Sequence, residues 1–234
     1  MPKRQRLLTT ANVKTQQGEK QGWATYILHL APGSLSGRNV CPQASKGCLA
    51  ACLNTAGRGI FTSTQAARIA KTRRLFADRQ AFGDDLRRDI EAAIRKGKRE
   101  GKRIAIRLNG TSDLPWVRLF PWLEEYKDRV RYYDYSKSLR RVIERPAWYD
   151  LTFSKSESNG LDCLKALDAG VRVAVVFSTL KGQSLPAYWC GREVIDGDAN
   201  DLRFLERGGI VVGLRAKGSD GKADASGFVV QVAA

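Results

Sequence analysis

The chain has 234 residues, 43% of them hydrophobic, and 40 Lys and Arg stand against 24 Asp and Glu for a formal net charge of +16. That length and apolar content suffice for one α/β domain with a sizeable core, while no run nears the roughly 20 apolar residues of a membrane helix, which excludes a membrane-spanning protein. The cations recur at Lys71–Arg74, Arg87–Arg88, Arg95–Arg103 and Arg140–Arg141 rather than in one tail, so the expected partner is nucleic acid, DNA or RNA, bound with affinity but without base specificity.

Residues 1–22 read as a basic leader lacking the apolar stretch of a secretory signal, which predicts a cytoplasmic chain. Trp23 to His29, aromatic and β-branched, predicts a strand. A Gly, Pro and Ser-rich stretch then delivers a cysteine loop over residues 38–59. Thr62 or Ser63 is placed to cap a helix through about Gln80, with Ala66, Ile69, Ala70, Leu75 and Phe76 near helical spacing. A second helix, Phe82 to about Lys98, carries Leu86, Ile90, Ala93 and Ile94 on one face. Short apolar runs at 103–108, 130–133, 149–153, 171–177 and 210–214 alternate with helical periodicity, with Val194–Ile195 as a further short strand. Asp198 and Asp201 stand where they would cap a helix reaching Leu205. Such alternation predicts parallel strands with helical crossovers, in an open sheet or, as we expect, in a partial or full (βα) barrel formed by one domain over residues 1–234.

Parallel strands of this kind place their chemistry where they end. The tails are Asn109–Asp113, Asp134–Lys137, Ser154–Glu157, Ser178–Lys181, Asp196–Asp198 and Arg215–Lys217. From these we take Asp113, Asp196, Lys137 and Lys155 as candidate catalytic groups, and Asn109, Ser112, Ser136, Ser154 and Glu157 as candidate cofactor-binding groups. Lys137, Lys155, Lys181 and Lys217 would form a phosphate-binding ring if all four pointed into one mouth. Tyr135 and Trp189 are placed where a base could stack.

The cysteines are the sharpest signal. Cys41, Cys48 and Cys52, spaced C-x6-C-x3-C, admit a [4Fe-4S] cluster, a structural zinc or a chance set of buried thiols. The long gap and a single histidine, His29, suit iron and sulfur better than zinc. Three ligands leave one iron open for substrate, whereas Cys190, if it joins them, closes the site. Cys163, among apolar residues at helical spacing, reads as a small buried hydrophobe. His29 is either a proton carrier or ligand near the cluster, or a hydrogen-bonded structural residue.

Asn39-Val-Cys41 through Gly59, with Ala67–Arg73, Arg107–Asp113, Tyr133–Lys137 and Phe153–Glu157, resembles the gene product 88 family of phages and plasmids over most of the chain. That resemblance names relatives without naming a reaction. A cysteine loop after the first strand of a parallel α/β barrel is also distantly similar to radical S-adenosylmethionine enzymes. This second likeness implies a radical-SAM-like barrel in which Cys41, Cys48 and Cys52 hold a [4Fe-4S] cluster whose open iron binds S-adenosylmethionine. The chain departs from it in having C-x6-C-x3-C for C-x3-C-x2-C, and Asn109-Gly-Thr-Ser in place of a Gly-Gly-Glu-like stretch. The expected function is an iron-sulfur enzyme acting on a nucleotide or nucleic acid, in base modification. The alternatives are a non-catalytic nucleic-acid-binding protein with a structural four-cysteine metal, and a transglycosylase or glycosylase-like barrel with structural zinc.

Overall fold

The computed structural model describes residues 6–10 and 18–232, so much of the basic leader, 1–5 and 11–17, lies outside the described residues. In chain order the elements are β1 (Leu8–Thr9), β2 (Trp23–Leu28), α1 (Lys46–Ala50), α2 (Thr62–Ala77), α3 (Arg79–Glu100), β3 (Arg103–Arg107), α4 (Trp116–Leu119) and β4 (Val130–Ser136). There follow α5 (Leu139–Ile143), β5 (Tyr149–Ser154), α6 (Gly160–Asp168), β6 (Val173–Phe177), β7 (Tyr188–Trp189), β8 (Arg192–Asp196), β9 (Val211–Arg215), α7 (Gly218–Lys222) and β10 (Val229–Val230). The sheet runs β1-β2-β3-β4-β5-β6-β9-β8-β7, with β10 added to β6. Every pairing from β2 through β6 and β9 to β8 is parallel, and β1 and β7 attach antiparallel at the two ends. The sheet is therefore open, and the full barrel expected from the sequence does not form. No helix among the described residues is long and apolar enough to cross a membrane.

The two-residue period of a strand sorts side chains onto two faces. Ala24, Tyr26 and Leu28, Ile104 and Ile106, Tyr132, Leu151 and Phe153, and Val173 and Val175 join the main core with Phe82, Leu86, Ile90 and Ala93 of α3. On the opposite face Trp23, Ala105 and Tyr133 meet Leu202, with Phe204 packed against them. That face also carries buried polar pairs: Arg107 Nη1 reaches Asp201 Oδ2 at 3.1 Å, Tyr133 OH donates to the same oxygen at 3.0 Å, and Arg172 pairs with Asp150 at 2.5 Å.

Three local expectations change. The helix predicted to run to Gln80 ends at Ala77, and Asp78 begins the next by accepting the Ala81 N–H at 2.9 Å. The apolar face assigned to that first helix holds only in part: Leu75 is buried, but with Lys71 and Thr72, and Phe76 is exposed. Lys71 Nζ donates to the Leu7 carbonyl at 2.9 Å, and Thr72 Oγ1 accepts the Ala31 N–H at 2.9 Å, so α2 docks by polar contacts. Finally, 198–205 holds only a 3-10 turn, Arg203–Leu205. Its carboxylates are committed elsewhere, Asp201 to Arg107 and Tyr133, and Asp198 to the Arg215 N–H and Lys217 Nζ.

The chain's last strand decides the shape of the rim. β5 pairs with β6 only at Phe153↔Val173 and Ser154↔Ala174, while β10 pairs with Val176 and Phe177. The segment before β10 is thereby brought against the cysteine helix. A Cβ on Gly47 would collide with Ser226 Oγ and come within 2.8 Å of Phe228 Cβ. Gly47→Ala is expected to displace this segment and cost about 1–3 kcal/mol, as overpacking does, read as a lowered urea midpoint with an unchanged m-value; an unaltered midpoint would refute the close packing.

Candidate functional site

Because β2 to β6, β8 and β9 are parallel, their carboxyl ends share one rim, and the cysteine loop rises from β2 onto it. Ser45 caps the short α1, its side chain accepting the Cys48 N–H at 3.2 Å. Glu157, from the β5 tail, takes the Ser45 hydroxyl at 2.5 Å and the Gly47 N–H at 2.8 Å. Burial pushes the Glu157 carboxyl up, but these hydrogen bonds prevail and hold it below the usual carboxylate range. Its position is that of a tether for the helix carrying Cys48.

Cys41 is set by its backbone N–H to Asn39 Oδ1 at 2.9 Å, and its sulfur accepts the Gly33 N–H at 3.3 Å. Gly33 has φ +56, a conformation that glycine adopts without strain. Burial raises the Cys41 thiol to about 11; the Gly33 N–H opposes this, and the charges of Cys52, Cys48 and Asp113 add to it. Cys52 is likewise raised by burial, lowered by the Asn54 N–H, raised by Cys48, and lowered by Arg68 and Lys137. The half-buried Cys41 and Cys52 thus both feel Cys48 through space. Among the described residues no group of three or more His, Cys, Asp and Glu is arranged to grip a metal ion. Cys190 stands at the exposed turn of the β7–β8 hairpin with φ 48, and the thiol its charge raises is Cys163, itself fully buried in α6.

Two cations flank the trio. Arg68 Nη1 donates to Asn54 Oδ1 at 2.5 Å, and its buried Nε has no hydrogen-bond partner among the described residues. Lys137 Nζ lies 5.7 Å from the centroid of the Phe228 ring. His29 has a buried Nδ1 without a hydrogen-bond partner among the described residues. Burial, then the charges of Arg68, Arg107 and Lys71, lower its pKa to about 3, which makes it a neutral imidazole at physiological pH. Sequence reasoning missed Arg68, because an arginine on an amphipathic helix reads as solvated. The available signal was its place one turn before Lys71 and Thr72, polar residues that the helix buries.

The other candidates occupy the same rim but mostly hold it together. Asp113 accepts the Lys137 N–H at 2.9 Å and pairs with Arg141 at 2.6 Å. Asn109 Oδ1 accepts from Ser112 Oγ, the Leu114 N–H and Trp116 Nε1, so it folds its own loop. Ser136 Oγ accepts the Ser138 N–H, and the Ser154 carbonyl accepts from Asn159 Nδ2. Lys155 Nζ is turned to the Gly227 carbonyl at 2.5 Å, Lys217 to Asp198, and Asp196 pairs with Arg215 at 2.9 Å. Lys155 and Lys217 are thus held by protein partners rather than aimed into a common mouth, Lys181 is exposed, and of the four Lys137 is the one that acts on Cys52. Tyr135 lies under the Arg107 guanidinium at 4.6 Å, and Trp189 packs against the main core.

Among proteins of known sequence character, no curated protein and no solved structure matches the chain. Nothing in these comparisons supports the distant similarity to radical S-adenosylmethionine enzymes. A family profile described as Gene product 88 matches residues 3–232. That match runs through the cysteine loop, the rim and every strand, and the chain belongs to the Gene product 88 family.

Proposed function

We propose that Cys41, Cys48 and Cys52 hold a [4Fe-4S] cluster with one iron left open, and that the protein is an iron-sulfur enzyme acting on a nucleotide or nucleic acid. The observation that carries this reading is the gathering of three soft donors on the loop that rises onto one rim, the Cys41 sulfur already accepting the Gly33 N–H. The C-x6-C-x3-C spacing suits a cuboidal cluster, whose ligands stand farther apart, better than a single tetrahedral ion. N–H bonds to sulfur are also a means by which a protein tunes such a cluster. When bound, the cluster would supply redox or Lewis-acid chemistry at the open iron. Arg68 and Lys137 would draw the phosphate or carboxylate of a ligand, S-adenosylmethionine included, beside it. We read the run β2 to β6, neighbours in chain order, as part of a barrel wall left open.

The test is anaerobic reconstitution with iron and sulfide. About four irons per chain and a broad visible absorption are expected. A colourless, metal-free product would end this reading. One zinc per chain that iron cannot replace would transfer it to the structural-zinc alternatives.

A further inference from the structure

Between Glu19 and Asp78 the sequence has no carboxylate side chain, yet it carries Lys20, Arg38, Lys46, Arg58, Arg68, Lys71, Arg73 and Arg74. Arg38, Lys46, Arg58 and Arg73 are exposed and pair with no carboxylate among the described residues. The outer face of α3 differs, since Arg87, Arg88, Arg95 and Lys96 are matched by Glu125, Asp85, Glu91 and Glu100. The matching on α3 is partial, since Lys98 and Arg99 are exposed and pair with no carboxylate among the described residues, but the stretch that holds the thiols contributes Arg38, Lys46, Arg58 and Arg73 and no carboxylate of its own.

The same stretch exposes large apolar side chains: Leu49 at 46%, Leu53 at 50%, Ile60 at 56% and Phe61 at 55%. Exposed apolar groups in such a cluster mark an interaction site. A second copy of this chain would meet it with like charge, and a stretch whose own charged side chains are all cations suits a polyanion better than a protein of mixed sign, the neighbouring Glu157 carboxylate being taken up by Ser45 and Gly47. Apolar side chains ringed by cations are also the wedges with which proteins unstack adjacent bases. The wedge is tied to the thiols. A Cβ on Gly59 would lie 2.5 Å from the Leu53 carbonyl and 2.8 Å from that of Asn54, so the turn bearing Ile60 packs directly on the turn that follows Cys52.

We propose that the face formed by the cysteine loop and the outer side of α2 is the nucleic-acid-binding surface, and that Ile60 and Phe61 insert between neighbouring bases to place an unstacked base beside Cys41, Cys48 and Cys52. The proposal rests on the nucleic-acid reading given above.

Single- and double-stranded DNA and RNA oligonucleotides carrying 2-aminopurine, whose fluorescence rises on unstacking, provide the probe. Binding by the full chain is expected to raise that signal severalfold. The exposed double variant I60A/F61A should lose the rise while its affinity falls less than about tenfold. R38Q/R58Q should lower the slope of log affinity against log salt by about 1.4 to 1.8, the share of two phosphate contacts. A rise that persists in I60A/F61A would overturn the wedge. A slope unchanged in R38Q/R58Q but lowered by R95Q/R99Q would move the surface to α3 and overturn the face. No oligonucleotide binding at all would overturn both this proposal and its nucleic-acid premise, whereas the iron content reports on the cluster separately.

Discussion

Cys41→Ala is expected to take the iron content of anaerobically reconstituted protein from about four per chain to near zero, while Cys163→Ala leaves it unchanged. Both thiols are raised to about 11, first by burial, so neither acidity nor loss of a buried sulfur separates them. Their neighbours do. The Cys41 sulfur receives the Gly33 N–H and feels Cys48 and Cys52, whereas Cys163 sits on α6 near Lys155 and the Asn159 side chain. Equal iron loss in the two variants would mean that general destabilisation was being measured. Cys190→Ala discriminates between an open and a closed site. Its sulfur lies on the exposed hairpin turn, and retention of iron is expected in its absence. Loss of iron together with the fold would instead favour the non-catalytic, four-cysteine alternative.

Much of the frame was legible because β2, β6 and β9 are largely apolar runs rich in β-branched or aromatic residues, β3 to β5 contain short apolar or aromatic runs of strand length, and α3 carries one continuous apolar face. The place of the cysteine loop was legible because a Gly, Pro and Ser-rich stretch follows the β2 strand. What failed depends on tertiary context. β1, β7 and β10 have two residues each, too few for a period, and β10 exists because β6 offers hydrogen-bonding groups beyond the end of its β5 pairing. Asp198 and Asp201 look like helix caps in sequence, but Arg215, Arg107 and Tyr133 claim them. The polar docking of α2 hid Arg68, since Lys71 and Thr72 satisfy backbone groups of distant segments that periodicity cannot see.

Loss of Asp134 is expected to be among the most costly single changes to the fold. Its fully buried carboxylate accepts the Leu108 N–H at 3.1 Å, the Asn109 N–H at 2.7 Å and the Tyr149 hydroxyl at 2.5 Å, which fixes the end of β3 and the Asn109–Asp113 turn beyond it. Asp134→Ala strands three buried donors and removes a charge 3.8 Å from Arg107 Nε, for an expected loss of about 3–5 kcal/mol in urea unfolding. The pH dependence is specific to this group. Burial raises its pKa to about 7, against the opposing pull of Arg107 and the hydrogen bonds, while an unfolded aspartate titrates near 4. Between those values the folded chain binds a proton that the unfolded chain lacks. The stability this group contributes is therefore complete below about pH 4, falls by up to about 1.4 kcal/mol per pH unit as pH rises to about 7, and is level above it. Asp134→Asn cannot titrate, so the difference between its stability curve and that of the parent isolates the effect. A difference that stays flat from pH 4 to 7, or grows with pH, would mean that Arg107 and the donors overcome burial and keep Asp134 ionised throughout.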